Sequence, residues 1–375
     1  MLNFLRDTSD KFFNWGRTKI EVYSSEKVTR DIMRRVEKQC KLQHLTPQQQ
    51  IAVQNYWKPL VGKRVDTRMH EIMLSLTGEF KPEFEPFEVC YEVQTKSYKR
   101  YAMNFFDDKN LYRQLLGENA IPERICECIN GCYYLRDNES NKWYSQIGIN
   151  EVATTLSNIE DCIIKPSTGS CGGVGVKGFQ TKNGVDTSSG KNVKEILIQY
   201  GTDFCIERKI HECENLQRLN ETSCNTLRIH TFRNRESQKI NYISSFIRIG
   251  RKGMVVDNGN FGGLCARIFD EDSSLHGSVQ LNPYMRVFET DCGISLKGYR
   301  IENHRDMIDV AIHAHERLPM FDYVGWDMAV DRDGKVVIIE FNPNPDNRLD
   351  QLIFDDTCLL KNQEWIVKQT YNNNK

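Results

Sequence analysis

Two acids and an amide near the C-terminal end carry the clearest chemistry in this sequence. The stretch VGWDMAVDRDGKVVIIEFN, Val324 to Asn342, has two runs rich in Val, Ile, Met and aromatics flanking Asp333-Gly334. That dipeptide fits a two-residue turn because both positions tolerate positive φ. With that turn Arg332 pairs with Lys335, and counting outward sets Asp327 directly opposite Glu340. Trp326, Met328 and Val330 then share a core face with Val337, Ile339 and Phe341. Asp327, Glu340 and Asn342 point the other way, beside Ala329 and Ile338. Directly opposed side chains lie roughly 5 Å apart at Cβ, where like charges repel, so a positive group is expected between the acids. A hard divalent cation answers this, because carboxylates plus an amide oxygen suit Mg²⁺, which keeps waters and takes further ligands from phosphates. On this stretch alone, a solvated outer hairpin face accounts for the acids equally well.

Cations lie upstream. Cys162-Ile163-Ile164 reads as a short buried strand that delivers Lys165 into KPSTGSCGGVGVKGF. Small residues at Ser167, Gly169, Ser170, Gly172 and Gly173 leave backbone N–H groups uncovered, as a loop draped over phosphates requires, and Lys165 supplies a point charge. Gly173, Gly175 and Gly178 fit G-x-G-x-x-G, but that pattern counts only where it opens a helix; Phe179, Gln180 and the Asn183-Gly184 turn indicate a second strand instead. No G-x-x-x-x-G-K-[ST] exists. His304-Arg305-Asp306 mimics a kinase catalytic loop, yet Ala311 stands where asparagine is needed and there is no Asp-Phe-Gly. That triplet reads as opening a helix through Met307, Val310, Ala311, Ala314 and Leu318. Lys109 follows Asp107 or Asp108, either of which can cap a helix carrying Leu111, Leu115 and Leu116 and ended by Gly117. A cation in a first turn opposes the helix dipole, so Lys109 suits a phosphate or carboxylate, with a solvated surface lysine as the plain alternative. Arg228 and Arg248 sit in the β-rich runs NTLRIHTF and KINYISSFIRIG. Arginines in strands usually face solvent, but this pair precedes the loop DNGNFGG, Asp257 to Gly263, and guanidiniums beside glycine-exposed backbone make a site for anionic oxygens.

The elements that position these residues are helices and short strands. Residues 1–80 read as helical, with Ile32 and Val36, then Met69, Ile72, Met73 and Leu76 at helix spacing. Pro82 and Pro86 break that pattern and are expected to lead into a strand. Helices are expected from Ile149 to Asp161 and from Val193 to Tyr200, and DFCIERKIHE reads as a strand ending at Glu207, at a junction between two lobes. With 375 residues the chain has room for two or three domains. Its formal charge of −1 gives no push toward nucleic acid. Thirteen cysteines, without a zinc-like Cys/His pattern, read as reduced and mostly buried thiols. No apolar run reaches the ~18 residues of a membrane span, so a soluble cytoplasmic protein is expected.

In this order the parts resemble the ATP-grasp fold, most closely its sugar-transfer-associated branch. KPSTGSCGGVGV resembles the family's strand lysine and glycine loop, IERKI its hinge strand, NTLRIHTF with DNGNFGG its arginine strand and glycine-asparagine loop, and WDMAVDRDGKVVIIEFNPNPD its metal-binding end. The likeness covers roughly Asp108 to Asp346. It implies an α+β protein in which two lobes clasp ATP behind a helical leader: residues 1–100 the leader, 101–208 the small lobe, 209–360 the large lobe with the metal site, and 361–375 a tail. It implies that Lys109 and Lys165 hold ATP phosphates under a lid at Ser170, Gly172 and Gly173. Ile206 and Glu207 would meet adenine and Glu214 the ribose, and Asn258, Gly262 and Gly263 would form the substrate loop. Asp327, Glu340 and Asn342 would bind Mg²⁺, while Arg228 and Arg248 neutralise the transferring phosphoryl group. The implied activity is ligation: a carboxylate, small or glycan-linked, is activated as an acyl phosphate for attack by an amine or similar nucleophile, in glycan assembly. A phosphotransferase and a non-catalytic ATP-binding scaffold are the alternatives. The leader and residues 273–300 depart from the family pattern, which leaves the acceptor open but not the nucleotide; the oligomeric state is not written in the sequence.

Overall fold

The structure, a computed structural model, describes residues 26–99, 106, 108–136, 143–169, 173–253 and 262–372, with backbone alone at 143–146. It divides into two units, residues 1–96 with 346–375 and residues 97–345.

The first unit is helical among its described residues. Helices cover residues 26–39, Pro47–Val61, Arg68–Thr77 and Phe87–Lys96, and C-terminal helices Asp350–Phe354 and Gln363–Asn372 fold with them. Thr46 and Gln49 close a capping box at the second helix, the reciprocal arrangement that satisfies exposed N–H groups at a helix start. The expected strand after Pro86 is instead the helix Phe87–Lys96. Proline breaks a helix interior but suits its first turn, where its missing N–H has no partner to lose, and Val89 N and Cys90 N both donate to the Pro86 carbonyl. Glu85 joins the unit's two chain segments. Its buried carboxylate accepts from Cys358 N (2.9 Å) and Leu359 N (3.2 Å), and its own N–H donates to Gln351 Oε1 (2.7 Å).

The second unit holds the chemistry, on two antiparallel sheets. Strands β1 (Arg124–Ile129), β2 (Cys132–Arg136), β3 (Trp143–Ile147), β4 (Cys162–Pro166), β5 (Lys177–Phe179) and β8 (Phe204–Arg208) make the small sheet, in the order β3-β2-β1-β8-β4-β5. Between β5 and β8 a hairpin of β6 (Thr181–Lys182) and β7 (Val185–Asp186) turns at Asn183-Gly184, with φ of 50° and 76°. Helices Ile149–Thr155 and Val193–Tyr200 contribute Val152, Val193 and Leu197 to a core with Cys126, Ile164, Phe179 and Ile206. The large sheet comprises β9 (Thr226–Arg233), β10 (Ile240–Ile249), β11 (Leu264–Arg267), β12 (Ser278–Leu281), β13 (Tyr284–Val287), β14 (Tyr323–Val330) and β15 (Val336–Asn342), ordered β13-β12-β11-β10-β9-β14-β15. Its apolar face receives the helix His304–Glu316, whose Met307, Ala311 and Ala314 join Leu227, Ile229, Ile247 and Trp326 in one core. His304 opens that helix and is a structural residue: it is buried between Ser245 Oγ (2.7 Å) and Ser273 Oγ (3.0 Å).

The β14–β15 hairpin reaches the expected Asp327–Glu340 pairing by a different route. Its loop is three residues long, not two: Asp331 N donates to Lys335 O, Gly334 N returns to Asp331 O, and Gly334 sits at φ 80°. A bulge between Asp327 and Met328 then restores the lost residue, because Met328 pairs with Ile338 while Asp327 pairs with Glu340. The core face is thereby corrected. Ile338, fully buried, packs with Trp326, Met328, Val330 and Phe341, whereas Ile339 is only half-buried.

Candidate functional site

Sheet register builds the large-sheet half of the site. Arg228 on β9, Asp327 on β14 and Glu340 on β15 stand in one row, and His230, Gly325 and Asn342 in the next. Antiparallel partners share a face, so these side chains lie opposite the apolar core. Asp327 is 4% exposed and binds the guanidiniums: Arg228 Nε donates to Oδ1 (2.5 Å), Arg228 Nη2 and Arg248 Nη2 reach Oδ2 (3.1 Å each). Thr226 Oγ1 fixes Arg248 by accepting from Nε at 3.0 Å and Nη2 at 2.8 Å. Burial pushes the Asp327 carboxyl upward, but Arg228 and then Arg248 overcome it and hold the group at about 2. Asn342 Nδ2 approaches Asp327 Oδ2 at 3.4 Å.

Gly325 makes room for this. A Cβ there would lie 2.8 Å from Pro345 Cβ, 3.2 Å from His230 Cδ2 and 3.3 Å from Arg228 Cδ. The signal was present in the sequence, since an isolated glycine within a strand pattern marks close approach by another group.

The small sheet supplies Lys165 and Arg124. Arg124, Glu207 and Ile163 form one row and Glu127, Cys205 and Lys165 the next, on the face opposite Ile164 and Ile206. Lys165 Nζ contacts Glu207 Oε2 at 2.6 Å, and Arg124 Nη2 contacts Glu207 Oε1 at 3.1 Å. All three are at most 5% exposed. Burial raises the Glu207 carboxyl, yet Lys165 and Arg124 bring it below its ordinary value. Arg124 was missed in the sequence because RICECI reads as an ordinary buried strand; an arginine in such a run demands an acid partner, and that was the available signal.

Lys109 ties the halves together. Asp108 caps the turn, its side chain accepting from Asn110 N (3.0 Å), and Gly117 ends the helix Tyr112–Leu116. Lys109 N donates to Ser167 O (2.9 Å) and its carbonyl accepts from Arg124 Nη2 (3.0 Å), while Nζ reaches Glu340 Oε1 at 2.9 Å. At 4% exposure it is not a surface lysine.

Thus Lys109, Lys165, Glu207, Arg228, Arg248, Asp327, Glu340 and Asn342 converge through shared partners. Ile206 faces the small-sheet core, so its side chain is not brought to the charged face. Glu214 opens the short helix Glu214–Gln217 and is exposed. Gly173 (φ 80°) accepts from Val176 N in a turn, and Gly262 (φ 87°) and Gly263 precede β11. Ser170, Gly172 and Asn258 lie outside the described residues.

The model of sugar-transfer-associated ATP-grasp proteins matches residues 89–365. The chain belongs to that family. Its fold is the ATP-grasp fold, α+β with antiparallel sheets. Compared with curated proteins, the sequence matches none. Among solved structures, this ATP-grasp protein is similar to N5-carboxyaminoimidazole ribonucleotide synthetase from Thermotoga maritima (14% identity, 72% of this chain and 52% of that chain, TM-score 0.38). It is similar also to N5-carboxyaminoimidazole synthetase from Staphylococcus aureus complexed with ADP (10%, 72% and 54%, 0.41) and to the ATP-grasp ligase PsnB complexed with a minimal precursor (12%, 72% and 62%, 0.36). The chain spans between about half and three-fifths of these relatives' length, and likenesses this distant say nothing of its chemistry. Among the described residues of the ATP-grasp chain, no helix is long and apolar enough to cross a membrane. Nor do three or more His, Cys, Asp or Glu side chains gather there as a metal cage.

Proposed function

We propose that this ATP-grasp protein is an ATP- and Mg²⁺-dependent ligase that activates a carboxylate for attack by an amine or similar nucleophile in glycan assembly. The observation that carries the proposal is Lys109 Nζ at 2.9 Å from Glu340 Oε1, because one residue, whose backbone N–H donates to Ser167 O just past β4, reaches the acidic hairpin with its side chain. Moving a phosphoryl group onto a carboxylate brings anions together, so positioning and positive charge must do most of the work. Lys165 and Lys109 would neutralise phosphate oxygens, and Glu207 with Arg124 would hold Lys165 in place until they arrive. The end of β8 at Ile206 and Glu207 would lie beside the base, with Glu214 toward the ribose. Arg228 and Arg248 would neutralise the group in transfer, and Gly262 and Gly263 would border the acid substrate.

Asp327, Glu340 and Asn342 fit Mg²⁺ by their chemistry: two carboxylates and an amide oxygen are hard donors, and the surrounding cations keep Asp327 ionised. When bound, Mg²⁺ would supply charge neutralisation on the phosphate oxygens. The protein's own cations now occupy both acids, which is how the repulsion anticipated between the paired carboxylates is relieved.

The test is ADP formation across a panel of acids and amines. Wild type is expected to release ADP with orthophosphate and an amide or ester, and Glu340→Gln to lose this activity by about 10³-fold, the size of one lost electrostatic contribution to the transition state, since a carboxylate that would hold Mg²⁺ is removed. A stable phosphorylated product would convert the reading to a phosphotransferase. Normal ADP release by Glu340→Gln would end it.

A further inference from the structure

A cavity of about 500 Å³ opens on the other side of the small sheet. Ile164 lines it, and Ile164 alternates with Lys165 along β4, so the cavity lies on the face turned away from the Lys165–Glu207 pair. Its floor is apolar: Ile164, Phe179 and Ile196, all buried core residues, line it. Its rim is basic. Lys177 and Lys209 border the mouth, both are exposed, and among the described residues neither side chain has an ion-pair partner.

The two acids at the rim are already engaged. Asp186 accepts from Ser188 Oγ (2.7 Å), Ser189 N (2.8 Å) and Ser189 Oγ (2.6 Å), and Asp161 Oδ2 faces His211 Nε2 at 3.5 Å. An apolar floor under uncompensated ammonium groups is complementary to a molecule with an apolar body and an anionic head.

We propose that this cavity is a binding site for a small amphipathic anion, an aryl or alkyl group carrying phosphate or carboxylate, separate from the nucleotide site. The apolar body would rest on Ile164, Phe179 and Ile196, and the anion between Lys177 and Lys209. An occupant would also touch the frame of the glycine loop. Tyr200, in the cavity wall, donates its hydroxyl to the Gly175 carbonyl (2.9 Å), and Gly175 packs so closely on Pro166 that a Cβ would fall 2.8 Å from Pro166 Cγ. The site does not depend on the ligase reading above.

The experiment is calorimetric titration of the full chain with 1-naphthyl phosphate, with 1-naphthol and inorganic phosphate as half-probes. Saturable binding at one site is expected, at least tenfold tighter than either half-probe. Lys177→Glu with Lys209→Glu, both exposed positions, should weaken it at least tenfold, and Ile196→Trp should fill the floor and do the same. Lys165→Met should leave the tightest phase unchanged. Affinity that survives the double charge reversal, or that disappears only in Lys165→Met, would overturn the proposal by placing the probe elsewhere.

Discussion

Glu85 and Glu207 are both buried glutamates, one in each unit, and their environments push them in opposite directions. Glu85 has two backbone N–H donors and, among the described residues, no ion-pair partner; burial dominates and lifts its carboxyl to about 7. Glu207 has Lys165 and Arg124 against its two oxygens, and despite full burial it falls below its ordinary value. Burial alone therefore does not mark a working acid. In the helical unit a carboxyl staples two chain segments, whereas in the unit that carries the two sheets acids are kept ionised by the cations beside them.

The largest effect expected from breaking this contrast is at Asp327. Asp327→Ala leaves Arg228 and Arg248 buried without their acid and should cost about 3–5 kcal/mol of unfolding free energy, the usual penalty for half of a buried pair. Glu340→Gln, on a partly exposed side chain, should cost less than about 1.5 kcal/mol. Urea unfolding of the two variants side by side checks this, and equal losses would contradict the pairing.

Lys165→Met should lower ATP turnover by about 10²- to 10³-fold while the chain stays folded, because Arg124 remains on Glu207. Steady-state ADP release, with circular dichroism as the folding control, reads both.

The pH dependence separates the environments of Glu85 and Asp327 directly. Glu85's folded value of about 7 lies above its ordinary 4.5, so its contribution is complete below pH 4.5 and is lost as pH rises through 7. That amounts to roughly 3 kcal/mol between pH 4.5 and 8, at about 1.4 kcal/mol per pH unit of separation. Asp327 has the reverse sign: its contribution is present above pH 3.8 and is lost as pH falls through about 2. Unfolding free energies of wild type and Glu85→Gln from pH 4.5 to 8 should converge at the acid end and diverge toward pH 8, with the variant flatter. Parallel profiles would remove Glu85 as the cause.

Much of the site was legible from residue order. The Asp327–Glu340 opposition, the strand delivering Lys165 and the cap at Asp108 are local patterns, and local patterns survive into the structure. Two errors of register cancelled: the three-residue loop at Arg332-Asp333-Gly334 and the bulge beside Asp327 each shift the ladder by one, in opposite senses. A bulge depends on packing of Ile338 against Trp326 and Met328, which no turn dipeptide encodes. What stayed hidden was the second layer, Arg124 holding Glu207 and Gly325 admitting Arg228. These depend on which strands become neighbours: β1 meets β8 across roughly 80 residues of sequence, and β9 meets β14 across almost 100.

The central claim is that Lys109 and Lys165, on one side, and Asp327 and Glu340, on the other, bound a single site for nucleotide and divalent ion. Calorimetric titration of ADP with and without Mg²⁺, in wild type and in Glu340→Gln, tests it most directly. Mg²⁺ should tighten ADP binding by about tenfold or more in wild type, about 1.4 kcal/mol of coupling, and have little effect in the variant. An identical Mg²⁺ effect in both proteins would contradict the account.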